Sequence, residues 1–370
     1  MSKRVEGVIV IGAGPAGLAT SRELSRADVR HVVLERGETI GHTWAHLYDG
    51  LVLHTGKHLS ALPGMPFPSC TPLFPTRRDF LEYLQRYAET FRVPVETSAD
   101  VDAVQPDGEA WTVHVKGATP RHARALVVAS GIVSNPHIPD IPGRDRFSGR
   151  IVHSIEYRNP EPFTNQRVLV VGTGNSAGEI CAELADGGAH VTVAVRSGAR
   201  AVPRQLFGIP IHYFGVALSA LPQSLLRGAM SLTGAISQLV RGPSPLPPPS
   251  ENVCANVPLI GFHLVDGIRS GRIRLRPGLS EFTSAGVRFV DGSEADFDHV
   301  ILATGYRGAV GMLGNLVRLD DCGFAARRDR VVSMDRPHLY FVGHNYDARG
   351  GLRNIGRDAR IAATLIARRM

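Results

Sequence analysis

Two glycine-rich turns, 160 residues apart, each join a run of strand-forming apolar residues to a stretch of helical character. The first reads Val8-Ile9-Val10-Ile11-Gly12-Ala13-Gly14-Pro15-Ala16-Gly17, and the second reads Val168-Leu169-Val170-Val171-Gly172-Thr173-Gly174-Asn175-Ser176-Ala177. In such a turn the first glycine allows the tight bend, the second lets the backbone approach a pyrophosphate, and the third position brings helix and strand together. The unpaired N–H groups and positive dipole end of the helix then face the phosphates. One such turn is weak evidence. Two, each inside a strand–helix–strand unit, point to an α/β fold of two doubly wound dinucleotide-binding (Rossmann-like) domains, the second inserted into the first. Two dinucleotides on one chain imply electron transfer between them.

The residue that closes the following strand separates the two sites. Glu35, with Arg36 after it, can accept hydrogen bonds from both hydroxyls of a ribose and would repel a 2′-phosphate. Arg196, with Ser197 beside it and Arg200 nearby, would attract that phosphate. The first turn is therefore assigned to FAD, through Gly12, Gly14, Pro15, Ala16, Gly17, Glu35 and Arg36. The second is assigned to NADPH, through Gly172, Gly174, Asn175, Ser176, Arg196 and Ser197. Pro15 suits the first position of a helix, where its missing N–H costs little.

A chain of 370 residues, 43% hydrophobic and 20% charged, has material for two full cores and the composition of a soluble enzyme. Cys70, Cys181, Cys254 and Cys322 include no C-x-x-C pair, which argues for a reducing cytoplasm and against a structural zinc or a dithiol redox centre. No metal site is expected. The net charge of +7 is spread along the chain apart from the pairs Arg327-Arg328 and Arg368-Arg369. It therefore fits attraction of a polyanionic cofactor rather than a nucleic-acid partner. The start, Met1-Ser2-Lys3-Arg4 before an apolar run, superficially resembles a signal peptide but is the approach to the first strand.

Along the chain, the expected FAD-binding domain covers 1–160 and 291–370 and the NADPH-binding domain 161–290. Beyond Gly41 an irregular stretch runs to the proline-rich Leu62-Pro63-Gly64-Met65-Pro66-Phe67-Pro68, and long aperiodic loops in compact enzymes are usually functional. Phe80, Leu81, Leu84 and Tyr87 predict a helix over 76–91, and Trp111, Val113 and Val115 predict a strand of a meander. Ala125 to Gly131 and Val300 to Tyr306 are two buried strands with small-residue endings, where the domains hand the chain to each other. Residues 206–240 form an apolar insertion, broken by Pro210, Pro222, Arg227, Gly228 and Gly234 too often for a spanning helix. Short helices covering an active site or a homodimer face, or docking on a membrane surface, remain open for it. Pro245, Pro247, Pro248 and Pro249 stiffen a surface loop after it.

Phe147-Ser148-Gly149-Arg150-Ile151-Val152-His153-Ser154-Ile155-Glu156-Tyr157 stands just before the second turn and fits the pattern F-x-G-x-x-x-H-x-x-x-Y at every fixed position. By this signature the chain resembles the flavin-containing monooxygenases, and it is most similar to their YUCCA type. Tyr48 to His54, Leu62 to Pro68, Val202 to Gln205, Ile268 to Ile273 and Ala303-Thr304-Gly305-Tyr306-Arg307 extend the likeness over nearly the whole chain. The resemblance implies that NADPH reduces FAD, that the flavin activates oxygen at its 4a carbon, and that a small organic substrate is oxygenated. It implies decarboxylation of an aromatic 2-oxo acid, with amine or sulfide oxygenation, or an NADPH-dependent flavin reductase or oxidase, as the alternatives. The difficult chemistry belongs to the flavin, so no acid–base pair need stand out.

The resemblance also implies roles for single residues. His54 and Lys57 fall at catalytic positions beside the flavin; Trp44, Val101, Gly343 and the Gly350-Gly351-Leu352 region fall where FAD is wrapped; Thr304 and Gly305 belong to the cofactor-binding set. His153 shapes a domain junction in this family. The chain departs from the YUCCA pattern between Asn345 and Gly356, which brings in Tyr346, Arg349 and Arg353, the two arginines being candidates for a substrate carboxylate. The third position of the second turn is Ala177, with Gly178 one residue later.

Overall fold

A computed structural model describes residues 5–218, 241–250, 258–346 and 350–370. The chain divides into two compact units, one of residues 1–46, 55–135 and 306–370, the other of residues 47–54 and 136–305.

The first unit opens with β1 (Val5–Ile11), α1 (Pro15–Arg26) and β2 (His31–Leu34), the strands pairing in parallel with Ile11 opposite Leu34. Val8, Ile9 and Val10 are fully buried, the continuous apolar run of a strand covered on both faces. Each such side chain contributes roughly 1.5–3 kcal/mol by leaving water. The expected helix is α2 (Arg77–Thr90). Its start is fixed by a capping box in which the Asp79 N–H donates to Thr76 Oγ1 at 3.1 Å and the Thr76 N–H donates to Asp79 Oδ2 at 2.9 Å. The buried face of α2 holds the proline-rich loop: the Tyr83 hydroxyl donates to the Met65 carbonyl at 2.6 Å and the Tyr87 hydroxyl to that of Pro63 at 2.7 Å. The meander follows as β3 (Val101–Asp107), β4 (Ala110–Val115) and β5 (Arg121–Val128), with antiparallel pairing up to β5, which then runs parallel to β1 on the side away from β2.

The second unit is built on β6 (Arg150–His153), β7 (Arg167–Val171), α3 (Asn175–Asp186), β8 (His190–Val195), β9 (Ile273–Pro277) and β10 (His299–Leu302). The five strands form an all-parallel sheet in the order β9-β8-β7-β10-β6. The borders expected at 160 and 291 fall inside this unit because β6 and β10 both pair in its sheet. Its long segment runs from Pro136 to Gly305, starting shortly after the first small-residue strand ending and closing at the second. Of the apolar insertion, the structure describes a hairpin of Gln205–Leu206 with Ile209–Pro210 and a helix over Ile211–Leu218. Residues 219–240 lie outside the described residues.

The chain completes the first unit with β11 (Leu339–Phe341), parallel to β5, and α4 (Gly351–Ala367). In each unit the first strand of the nucleotide motif thus has neighbours on both sides, and ligands of such sheets bind beyond the carboxyl end of that strand. Among the described residues no helix is long and apolar enough to cross a membrane, and no group of metal-ligating side chains occurs. Cys70 and Cys181 are free thiols, whereas Cys322 is disulfide-bonded, which stands against the reducing compartment argued from the cysteine spacing.

Candidate functional site

The first turn is built as its sequence requires. Gly12 has φ +104, and a Cβ there would stand 2.9 Å from the Ala129 carbonyl oxygen. A Cβ on Gly17 would lie 1.8 Å from the Gly12 oxygen, so only glycine lets α1 approach the turn. Gly14 precedes Pro15 at the start of the 12-residue helix with ordinary extended backbone, and a Cβ there would meet nothing within 4 Å. That open space before a helix N-terminus is the cradle a pyrophosphate needs. Glu35 is pinned at the end of β2, Oε2 accepting from the Ala13 N–H at 2.7 Å and Oε1 from the Gly37 N–H at 2.9 Å. Each oxygen keeps a lone pair for a ribose hydroxyl. Arg36 is exposed beside it.

The other residues expected around FAD fall in the same unit. Gly343 has φ +86 and follows β11 so closely against α1 that a Cβ would lie 2.9 Å from Ala16 Cβ. Trp44 packs edge-on to Phe80 at 4.5 Å, Val101 opens β3 largely buried, and Leu352 sits in the first turn of α4. Next to Gly343, His344 is buried with neither ring nitrogen hydrogen-bonded. Burial, followed by the nearby Arg327 charge, lowers its pKa to about 3, so the ring is neutral.

The second turn repeats the plan with one shift. Gly172 has φ +128 and packs against the Ala303 carbonyl, and Gly174 again faces open space with nothing within 4 Å of a Cβ. Ala177 is fully buried, and the close approach passes to Gly178, whose Cβ would lie 2.9 Å from Leu259 Cδ1. Thr173 Oγ1 donates to the Ser197 carbonyl at 2.9 Å, tying the turn to the end of β8. The Asn175 side chain, expected on the cofactor, instead holds a neighbouring segment: Oδ1 accepts from the Ile260 N–H at 2.7 Å and Nδ2 donates to the Pro258 carbonyl at 3.2 Å. Ser176 is half-buried. Arg196 and Arg200 are exposed and, among the described residues, enter no ion pair.

Thr304 and Gly305 close β10 within this unit. Thr304 Oγ1 donates to the His137 carbonyl at 2.5 Å, and the Gly305 carbonyl lies 3.2 Å from His153 Nε2. The Ile155 N–H donates to His153 Nδ1 at 3.2 Å, which leaves Nε2 to carry the proton toward Gly305. Burial lowers the His153 pKa. This fits a shaping role for the signature histidine.

His54 belongs to a polar cluster that the sequence did not announce. Its Nε2 lies 2.7 Å from Glu179 Oε1, the Tyr48 hydroxyl donates to Glu179 Oε2, and Arg204 Nη2 donates to the Val52 and Leu53 carbonyls at 3.3 and 2.8 Å. Burial opposes ionisation of Glu179, but the hydrogen bonds from His54 and Tyr48 and the Arg204 charge hold its pKa below the usual carboxylate value. One turn on, Glu183 accepts from the buried Tyr157 hydroxyl at 3.1 Å, and burial pushes its pKa up. The available signal was two acids four residues apart, beside Ile180 and Leu184, on a helix whose other buried residues are apolar.

Lys57, expected at a catalytic position, is engaged with the proline-rich loop. Its ammonium donates to the carbonyls of Pro68, Ser69 and Thr71 at 3.4, 2.9 and 2.6 Å, using all three donors to hold the proline-rich loop. Arg353 is exposed on α4, and Arg349 lies outside the described residues.

Two open cradles, a pinned carboxylate in one unit and free arginines in the other, define an oxidoreductase that depends on FAD and NADPH. The family model for pyridine nucleotide-disulphide oxidoreductases matches residues 9–206. Indole-3-pyruvate monooxygenase YUCCA1 of Oryza sativa subsp. japonica is 35% identical over 95% of this chain and 86% of its own length. Probable indole-3-pyruvate monooxygenase YUCCA1 of Arabidopsis thaliana is 38% identical over 83% and 77%. A solved flavin monooxygenase variant from Stenotrophomonas maltophilia superimposes with a TM-score of 0.77 at 25% identity, covering 99% of both chains. The chain belongs to the flavin-containing monooxygenase family and is a flavin-dependent monooxygenase.

Proposed function

We propose that the protein is an NADPH- and oxygen-dependent monooxygenase that decarboxylates an aromatic 2-oxo acid. The observation that carries the cofactor part is the pair of glycines, Gly14 and Gly174, each facing open space at a helix N-terminus. The substrate class rests on similarity to relatives named for indole-3-pyruvate. Bound FAD supplies the chemistry of accepting hydride from NADPH and activating oxygen. The chain's own residues do the rest: Gly14 and Gly174 admit the pyrophosphates, Glu35 holds the FAD ribose, Arg196 takes the 2′-phosphate, and His54 handles a proton at the reacting groups. His54 Nδ1 has no protein partner among the described residues, which leaves it available for this step. Arg353 is the described candidate for the substrate carboxylate.

Single-turnover reaction of the NADPH-reduced protein with oxygen tests this reading. A near-ultraviolet transient should precede the return of oxidised flavin, and an aromatic 2-oxo acid should hasten its decay and release carbon dioxide. Amines and sulfides form the second arm of the same assay. If no candidate changes NADPH use and hydrogen peroxide accounts for all of it, the protein is an oxidase.

Membrane-surface contact is supported by Phe207, 92% exposed at the tip of the hairpin before the helix at 211–218, and flotation with anionic vesicles tests it. Homodimerisation is tested by light scattering. Cytoplasmic residence suits a chain fed by NADPH, the disulfide at Cys322 is the observation against it, and cell fractionation decides.

A further inference from the structure

We propose that Glu179 is a positioning residue that holds the His54 imidazole with its proton on Nε2 and so leaves Nδ1 as the nitrogen presented for chemistry. The inference rests on the catalytic reading of His54 given above. An ionised carboxylate only accepts, so the ring nitrogen 2.7 Å from Glu179 Oε1 must carry a proton. The tautomer of a histidine is set by the hydrogen bond its other nitrogen makes, and a carboxylate so placed orients the ring without taking the proton itself. Glu179 is held in turn: its second oxygen accepts from Tyr48, and only 18% of its side chain is exposed.

The backbone beneath His54 is fixed independently. Arg204 grips the two preceding carbonyls, so Arg204 restrains the main chain while Glu179 restrains the ring. Among the described residues, the other charged or titratable groups of this cluster are Tyr48 on the segment that carries His54, Arg204, and His212 in the helix at 211–218. Burial lowers the His212 pKa, and among the described residues Glu179 is the one carboxylate shown in contact with the ring.

The test uses the full-length protein labelled with 15N-histidine, free of FAD and loaded with it, read by two-bond proton–nitrogen correlation at a pH where the ring is neutral. The wild type should show His54 as a single tautomer protonated on Nε2. Glu179→Gln, whose amide can donate as well as accept, should give a mixture, and Glu179→Asp should largely restore the single form. In the loaded enzyme Glu179→Gln should lower kcat for substrate oxygenation by about tenfold or more while the KM for NADPH stays constant. A wild-type ring protonated on Nδ1, or identical tautomer populations in wild type and Glu179→Gln, overturns the proposal. Should the tautomer shift occur while His54→Ala oxygenates normally, the positioning by Glu179 stands and the catalytic reading of His54 falls.

Discussion

Gly17 and Ala177 occupy equivalent places in the two turns, yet a Cβ at the first would strike the Gly12 carbonyl at 1.8 Å while the real methyl at the second is packed and fully buried. The close approach has moved one residue along, to Gly178, and there it is to the tip of the Leu259 side chain rather than to backbone. At Gly14 and Gly174 the surroundings instead agree, both glycines facing nothing. The comparison separates two demands that a glycine fingerprint mixes together: the second glycine serves the ligand and repeats without change, whereas the third serves packing and drifts with the neighbours of its helix. The ribose residues diverge in the same manner, Glu35 being held by two backbone N–H groups and Arg196 standing free.

The largest expected effect comes from filling either cradle. Gly14→Val should abolish FAD binding and Gly174→Val NADPH binding, each leaving the melting temperature of the cofactor-free protein nearly unchanged, because both backbones are extended and both spaces open. Flavin absorbance after gel filtration and nucleotide titration read the two losses. A variant that binds its cofactor normally would break the equivalence of the turns.

Next in size is Arg196→Ala. Loss of a charge-assisted contact of about 1.5–3 kcal/mol should raise the KM for NADPH roughly ten- to a hundredfold and leave that for NADH almost unmoved. Equal use of both cofactors by the wild type would mean that the free arginine does not read the phosphate.

The packing difference predicts opposite outcomes at the third position. Gly17→Ala should destabilise the protein by about 1–3 kcal/mol or more through overpacking, whereas Ala177→Gly should cost only about 1 kcal/mol, chiefly from helix propensity. Denaturant melts of the two variants check this, and similar losses would erase the distinction.

The last expected effect is a pH slope. His344 has no hydrogen bond to keep, and its pKa of about 3 in the fold lies below the ordinary value of 6.5. Its neutral form thus contributes stability that is fully present above 6.5 and is lost as the pH falls toward 3. The slope from this one group is at most about 1.4 kcal/mol per pH unit. His344→Phe should flatten that part of the stability curve, and a parallel curve would show that His344 is not its source.

Much of the fold was legible because it is written locally. The turns, the Thr76–Asp79 cap and the alternation around Trp111 each place their signal within a few residues, and the structure builds them as read. The polar cluster was not legible, because His54 and Glu179 are 125 residues apart, and His54 lies in an irregular segment with no period to read. The contacts of Lys57 were not legible for the same reason: likeness of position suggested chemistry, while its ammonium meets three carbonyls from a loop 11 to 14 residues away. Asn175 lies inside the fingerprint, yet the segment at 258–260 claims its side chain.

The first unit takes β11, which lies beside β5 in its main sheet, and the long helix α4 from residues 339–367, after every residue of the second unit has been passed. On the ribosome, the second unit therefore has its full complement of residues first, and the first unit waits with its sheet unfinished beside β5. Flavin capture should consequently be a late event of biosynthesis, and a nascent chain stalled far enough past residue 306 for that residue to have left the ribosome should hold NADPH before it can turn yellow.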